Sequence, residues 1–193
     1  MTKGMYHYIK QAWKKPDIQT LRERMIDWRK GNALVVVEKP LRLDRARTLG
    51  YKAKKGFVVV RVKIARGGRK RIRKGVKGRK SRKTTIRKTL KMSYKWVAEI
   101  RAARKYKNLE VLNSYWIGQD GKYYFYEIIM VDPNMPEIKN DRTMKWISNG
   151  KNKKRAERGL TSAAKKSRGL VRAGKSPQLK VRPSLRSWNR RGK

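Results

Sequence analysis

Residues 110–131 read EVLNSYWIGQDGKYYFYEIIMV, two apolar and aromatic runs, EVLNSYWI and KYYFYEIIMV, held apart by Gly118-Gln119-Asp120-Gly121. An Asp-Gly pair between two such runs is a strong hairpin signal, because both residues tolerate the positive φ that tight reversals demand. Upstream, FVVVRVKI at 57–64 alternates, with Val58, Val60, Val62 and Ile64 on one side and Phe57, Val59, Arg61 and Lys63 on the other. ALVVVEKP, closed by Pro40, is a further short strand. A strand at 57–64 joined to a hairpin at 110–131 predicts a small, largely antiparallel sheet.

Helical spacing flanks these strands. Met5, Tyr8, Ile9, Ala12 and Trp13 share one helix face, and Ile18, Leu21, Met25 and Trp28 share another. Pro16-Asp17 separates the two helices, and Gly31-Asn32 stops the second. Trp96, Val97, Ile100 and Ala103 mark a third behind Ser93, a side chain suited to capping. The expected fold class is therefore α+β: a small antiparallel sheet with flanking helices, carrying a long basic loop and an extended C-terminal tail. The expected division is a domain over 1–146, with the basic loop at about 65–91, and a basic extension over 147–193. Local helix is allowed near RAERGLTSAAKKSRG, but the residues after it lack the apolar period needed to bury a core. Alternation in the hairpin divides Tyr115, Trp116, Tyr123, Tyr124 and Tyr126 about equally between its faces, and most are expected to pack in the core. The two N-terminal tryptophans are likewise read as core residues.

Charge is the second decisive feature. Against 56 Lys and Arg stand 13 Asp and Glu, a net charge of +43 on 193 residues. Between Asp44 and Glu99 lie 54 consecutive residues without a carboxylate, among them 22 Lys and Arg. Such a segment cannot neutralise itself, and repulsion of this size opposes compaction. The missing counterion is a polyanion, and nucleic acid is the densest common one. A membrane surface fits less well, since LVVV and IIMV are of strand length and nothing approaches a spanning run. No secretory leader is evident in MTKGMYHYIKQAWKKP. The chain has no cysteine, which excludes disulfides, zinc knuckles and thiol nucleophiles and fits an intracellular address.

Within the basic loop, ARGGRKRIRKG follows a strand and places two glycines beside forked guanidinium donors, a composition suited to close approach to phosphates. The loop cations expected to meet nucleic acid are Arg66, Arg69, Lys70, Arg71, Arg73, Lys74, Lys77, Arg79, Lys80, Arg82 and Lys83. Arg172, Lys175, Arg186 and Arg190 are their counterparts in the tail. Neither a helix-turn-helix nor a basic zipper is present, so irregular basic segments favour folded RNA over duplex DNA. If only ten or so cations met duplex phosphates, the logarithmic salt dependence of binding would have a slope of about −9.

Catalysis finds little support. The single histidine, His7, lies between aromatic residues, and GVKGRKS misses the phosphate-loop spacing because Arg79 separates Gly78 from Lys80. Asp132 and Glu137 are the nearest approach to a metal-dependent nuclease pair. An RNA-processing enzyme and a chromatin-like architectural DNA binder are the two rival readings. No cofactor, metal or small-molecule substrate is expected.

Three blocks carry a resemblance: LGYKAKKGFVVVRVKIARGGRKR at 49–71, EVLNSYWIGQDGKYYFYEIIMVDP at 110–133 and RGLTSAAKKSRGL at 158–170. With the opening YHYIKQAW, they resemble the large-ribosomal-subunit protein fifteen family of the archaeal and eukaryotic type. The resemblance implies a non-enzymatic protein of the cytoplasmic ribosome, embedded in large-subunit ribosomal RNA, contacting neighbouring ribosomal proteins and no membrane. It places the family's RNA-facing cations on Lys52, Lys54 and Lys55, on Arg66, Arg69, Lys70 and Arg71, and on Arg158, Lys165, Lys166 and Arg168. GVKGRKSRKTTIRKTLKMSYKW and the short tail depart from the eukaryotic pattern. The absence of Cys, the single His and the Lys/Arg richness point to an archaeal source.

Overall fold

The computed structural model describes residues 2–68, 90 and 92–170. Met5–Ala12 (α1) and Ile18–Lys30 (α2) form the N-terminal helices, followed by strand Leu34–Val37 (β1), helix Leu43–Thr48 (α3) and strand Phe57–Ala65 (β2). After the loop come helix Tyr94–Lys105 (α4), strands Glu110–Gln119 (β3) and Tyr123–Val131 (β4), and the short helices Pro136–Lys139 (α5) and Ser162–Ser167 (α6). The cap expected at Ser93 is present, and Asp17, read only as a break between helices, is a second cap. Asp17 accepts from the backbone amides of Gln19 and Thr20 to start α2, and Ser93 accepts from the Trp96 amide to start α4.

The four strands form one antiparallel sheet in the order β1-β2-β4-β3. The hairpin reverses over Asp120-Gly121-Lys122, so both strands run closer to the turn than the composition suggests, with Gln119 opposite Tyr124. Asp120 organises the reversal, its Oδ1 accepting from the amides of Lys122 at 2.7 Å and Tyr123 at 2.6 Å. Irregularities between Val111 and Asn113 and between Trp116 and Gly118 break the β3–β4 ladder.

Both sides of the sheet are covered. On one side Val60, Val62, Ile64, Val111, Ile128 and Met130 pack against Ala98 and Ala102 of α4. On the other, Ile117, Phe125, Ile129 and Val131 meet Trp28 of α2, Ala46 of α3, Ile138 of α5, Met144 and Ile147. β4, in the interior of the order, is buried from Phe125 to Val131, which explains why its sequence is nearly all apolar rather than alternating. The Val58/Val60/Val62/Ile64 alternation of β2 matches the register, these residues facing α4 while Phe57 joins the opposite core. Arg61 and Lys63, on that opposite side, lay their guanidinium and ammonium over the rings of Trp28 and Tyr123 at 5.1 and 5.2 Å. Lys63 also donates to the carbonyls of Arg29 and Gly31 at the C-terminal end of α2, where the helix dipole favours a cation.

The stretch from 150 to 170 departs from the extended conformation expected for it. It folds onto the sheet and α4 through small side chains: Ala156, Thr161, Ala163 and Ala164 are all buried. Glu110 accepts from the Lys154 amide, Arg155 donates to the carbonyls of Val111 and Leu112, and the Trp96 indole donates to the Ala156 carbonyl at 2.8 Å. Arg155 also stands 5.0 Å over the Trp146 ring. A segment whose large apolar residues are only the half-buried Leu160 and Leu170 is thus held by buried backbone hydrogen bonds and close packing of alanines, neither of which leaves a periodic signature.

Candidate nucleic-acid interface

The basic loop leaves the sheet at the end of β2, and its first residues are anchored by several contacts. The Arg66 amide donates to the Lys122 carbonyl, and its guanidinium donates to the Asp120 carbonyl at 2.6 Å while lying 4.9 Å over the Tyr124 ring. Gly67, at φ 100°, exchanges hydrogen bonds with the Tyr94 hydroxyl: its amide donates at 3.0 Å and its carbonyl accepts at 2.9 Å. Tyr94 in turn packs on Tyr124, ring centroids 4.9 Å apart. Glycine is required here because the left-handed backbone would strain a β-carbon. Arg66, expected to meet RNA, is therefore also a root that fixes the direction in which the loop departs. Arg69, Lys70, Arg71, Arg73, Lys74, Lys77, Arg79, Lys80, Arg82 and Lys83 lie outside the described residues, as do Arg172, Lys175, Arg186 and Arg190.

The expected cluster before β2 is brought together and partly neutralised. Lys52 and Lys54 both donate to Oδ2 of Asp141, at 2.7 and 2.6 Å, and Lys54 also donates to the Glu137 carbonyl. With Thr143 donating as well, these cations hold the Asp141 carboxyl far below the usual carboxylate range. Lys55 is exposed. In the later block, Lys165 and Lys166 project outward from α6, Arg158 is exposed while bonding the carbonyls of Lys151 and Lys153, and Arg168 donates to the Gly159 carbonyl.

Most acidic side chains, by contrast, are turned inward or tied up locally, while Glu23, Asp27, Glu38 and Glu137 are exposed. Glu99, Glu110 and Glu127 are buried. Glu99 accepts from the hydroxyls of Ser114 and Thr161, and Glu127 accepts from the Tyr115 hydroxyl and the Leu41 amide. Burial pushes both carboxyls above their usual range, opposed by these hydrogen bonds and by Lys95 and Arg155 beside Glu99 and Arg61 beside Glu127. Asp17 and Asp120 cap or turn the backbone, Asp132 accepts from the Asn134 amide, and Glu157 pairs with Arg104 at 2.9 Å. Of the Asp132/Glu137 pair, Asp132 closes a turn and Glu137 is exposed; among the described residues no group of three or more His, Cys, Asp or Glu is placed to hold a metal. His7 accepts from Gln11 one turn along α1 and meets Tyr8 edge-on.

Sequence spacing gave no hint of a second cationic feature. Lys10 of α1, Arg42, Arg45 and Arg47 at α3 and Lys95 of α4 converge with Tyr6, Asp44, Thr48, Tyr115 and Trp116 around an open cleft of about 600 Å³. These residues come from four separate parts of the chain, so only the fold makes them neighbours. Of the hairpin aromatics, Tyr115 and Tyr126 are buried and Tyr123 and Tyr124 half-buried, whereas Trp116 remains 40% exposed. Trp28 is buried against Phe125, and Trp13 lies half-buried under Arg42.

Over its whole length the chain is similar to known proteins. The family model described as Ribosomal L15 matches residues 4–188. The chain is 52% identical over 198 residues to the large ribosomal subunit protein eL15 of Methanospirillum hungatei, and 50% identical over the same length to that of Methanocella arvoryzae. Each alignment covers the whole of both chains.

Proposed function

Since the chain belongs to the L15e family of ribosomal proteins, we propose that it is a structural, non-enzymatic constituent of the large subunit of the cytoplasmic ribosome that binds and neutralises ribosomal RNA. The observation that carries the RNA-binding part is the partition of charge. Most of the carboxylates are committed to the interior, to caps or to turns, whereas Lys55, Lys165, Lys166, Arg45, Arg47 and Lys10 face outward. Ribosomal RNA supplies the phosphates such a surface lacks, and its irregular helices accept basic segments that approach from several directions. The sheet and helices hold the loop root at Arg66–Gly67 and the α6 cations in fixed relation, so that RNA helices carrying like charge can be kept close together. Lys52, Lys54, Lys55, Arg66, Arg158, Lys165, Lys166 and Arg168 form the described part of this interface. The loop cations from Arg69 to Lys83, with Arg172, Lys175, Arg186 and Arg190, extend it. Neighbouring large-subunit proteins are further partners. No helix among the described residues is long and apolar enough to cross a membrane.

Salt-dependent binding to large-subunit ribosomal RNA tests the reading. Lys165→Ala and Lys166→Ala should each weaken binding and reduce the magnitude of the salt slope by about 1. Co-sedimentation with the large subunit through a high-salt gradient should be stoichiometric. Unchanged slopes would remove α6 from the interface, and equal binding to duplex DNA competitor would favour the architectural DNA reading instead.

A further inference from the structure

The cleft between α1, α3, α4 and β3 has the composition of a site rather than of a solvated face. Arg42 and Asp44 are both well covered there, with side chains 19% and 10% exposed, yet their nearest approach is a loose 3.7 Å contact. The Arg42 Nε donor and the Asp44 Oδ1 acceptor are buried without a hydrogen-bond partner. A buried polar group left unsatisfied costs about 1–3 kcal/mol, so a small shift of either side chain toward the cleft, where a ligand could both accept and donate, would be favourable. Cations crowd the same place. Lys95 is pushed below its ordinary range first by burial and then by Arg45 and Lys166, while Glu99 opposes the shift from beneath. Lys10, Arg45 and Lys95 line the cleft together, and like charges gathered around one cleft favour an anion among them.

Two aromatic rings complete the arrangement. Trp116 stands at an irregularity of the edge strand β3 and keeps 40% of its surface exposed, although its cross-strand partner Tyr126 is buried. Tyr6 is 39% exposed on the opposing helix, with the Arg47 guanidinium 5.6 Å from its ring centre. An exposed indole next to clustered cations and an unpaired donor and acceptor matches the parts of one nucleotide: a flat base, a phosphate and a hydroxylated sugar.

We propose that this cleft binds a single unpaired nucleotide of RNA, its base stacked on Trp116, its phosphate against Arg45, Lys95 and Lys10, and its ribose or base edge bonded to Asp44 and Arg42. The inference rests on the ribosomal reading and adds to it a site that admits an unstacked base and excludes a paired one. An extruded nucleotide would lock the orientation of the domain on its RNA, which phosphate contacts alone leave free to slide.

The test uses the full chain and a single-stranded hexaribonucleotide with one central 2-aminopurine and a terminal fluorescein, at salt high enough to suppress purely ionic binding. Anisotropy reports binding, and quenching of 2-aminopurine reports stacking. The wild-type chain should quench the base, and a fully paired duplex with the same label should bind without added quenching. Trp116→Ala should abolish most of the quenching and weaken binding about five- to fifty-fold, whereas Trp116→Phe should retain both in large part. Arg45→Glu, at an exposed position that folding does not require, should weaken the single strand more than the duplex. Quenching that survives Trp116→Ala, or an abasic strand that binds as well as the intact one, would overturn the proposal. Binding without quenching in the wild type would sink the nucleotide site and leave the ribosomal reading standing, while absence of RNA binding altogether would sink both.

Discussion

Asp141 shows what a carboxylate does in this protein. Its Oδ2 takes two lysine ammoniums and its Oδ1 the Thr143 amide and hydroxyl, tying the segment before β2 to the loop after α5. Because the folded carboxyl is held below its ordinary value, its contribution to stability is present above the unfolded pKa, about 4, and is lost as the pH falls toward the lower folded value. Asp141→Asn should therefore lower the melting temperature at neutral pH, with the difference from wild type shrinking as the pH is taken from about 5 to about 2. A difference that stays constant over this range would show that the charge does not matter and that the Asn cannot reproduce the geometry for another reason. The opposite sign applies at Glu99, where burial raises the carboxyl. There the folded state favours the proton, and the stability tied to it declines as the pH rises through the raised value. Sequence could list these acids but not their roles, since a carboxylate inside a sheet–helix interface and one on a surface have the same letter.

At the scale of elements, periodicity and capping carried the reading far. α1, α2 and α4 stand where 3.6-residue spacing placed them, and Asp17 and Ser93 cap as their types suggest. The hairpin follows from Asp120-Gly121. Strand order was not legible, because β2 pairs with β4 across 58 to 74 residues of chain and no local signal specifies which long-range pairing wins. Nor was the packing of 150–170, whose buried contacts are alanines, a threonine and backbone groups. Thr161 is its most exposed weakness in energetic terms: one hydroxyl both caps α6 through the Ala164 amide and donates to buried Glu99. Thr161→Val keeps the shape and removes both bonds. It should cost about 1–3 kcal/mol, measured by denaturant unfolding, and should raise hydrogen exchange over 153–168 while leaving β4 protected. Uniform acceleration across β4 would mean that this segment and the sheet unfold as one unit.

For the whole molecule, repulsion is the dominant electrostatic fact. With +43 charges and only 13 acids to offset 56 cations, the free chain should gain stability as counterions screen it. Raising salt from about 0.05 to about 0.5 M should raise its melting temperature, the reverse of a protein held by surface ion pairs. A fall would assign control to bridges such as Lys52–Asp141 and Lys54–Asp141. The cationic character of the chain was legible from composition, but the gathering of cations at the α1/α3/α4/β3 cleft was not, because that cleft exists only where four separated segments meet.

The sheet has a further bearing on how the molecule meets a large partner. Helices and loops cover much of both of its sides, leaving Val36 and Trp116 as the exposed large apolar residues of the described strands, too far apart in the order to lay out a row of bases. The fold acts as a hub whose contacts are made around its rim, at strand ends, helix ends and the chain that departs from them. A hub of this kind is indifferent to the length of its spokes. The described core is closed around the sheet, so what the scaffold fixes for the proposed RNA partner is where the chain leaves it, at Gly67 and at Leu170.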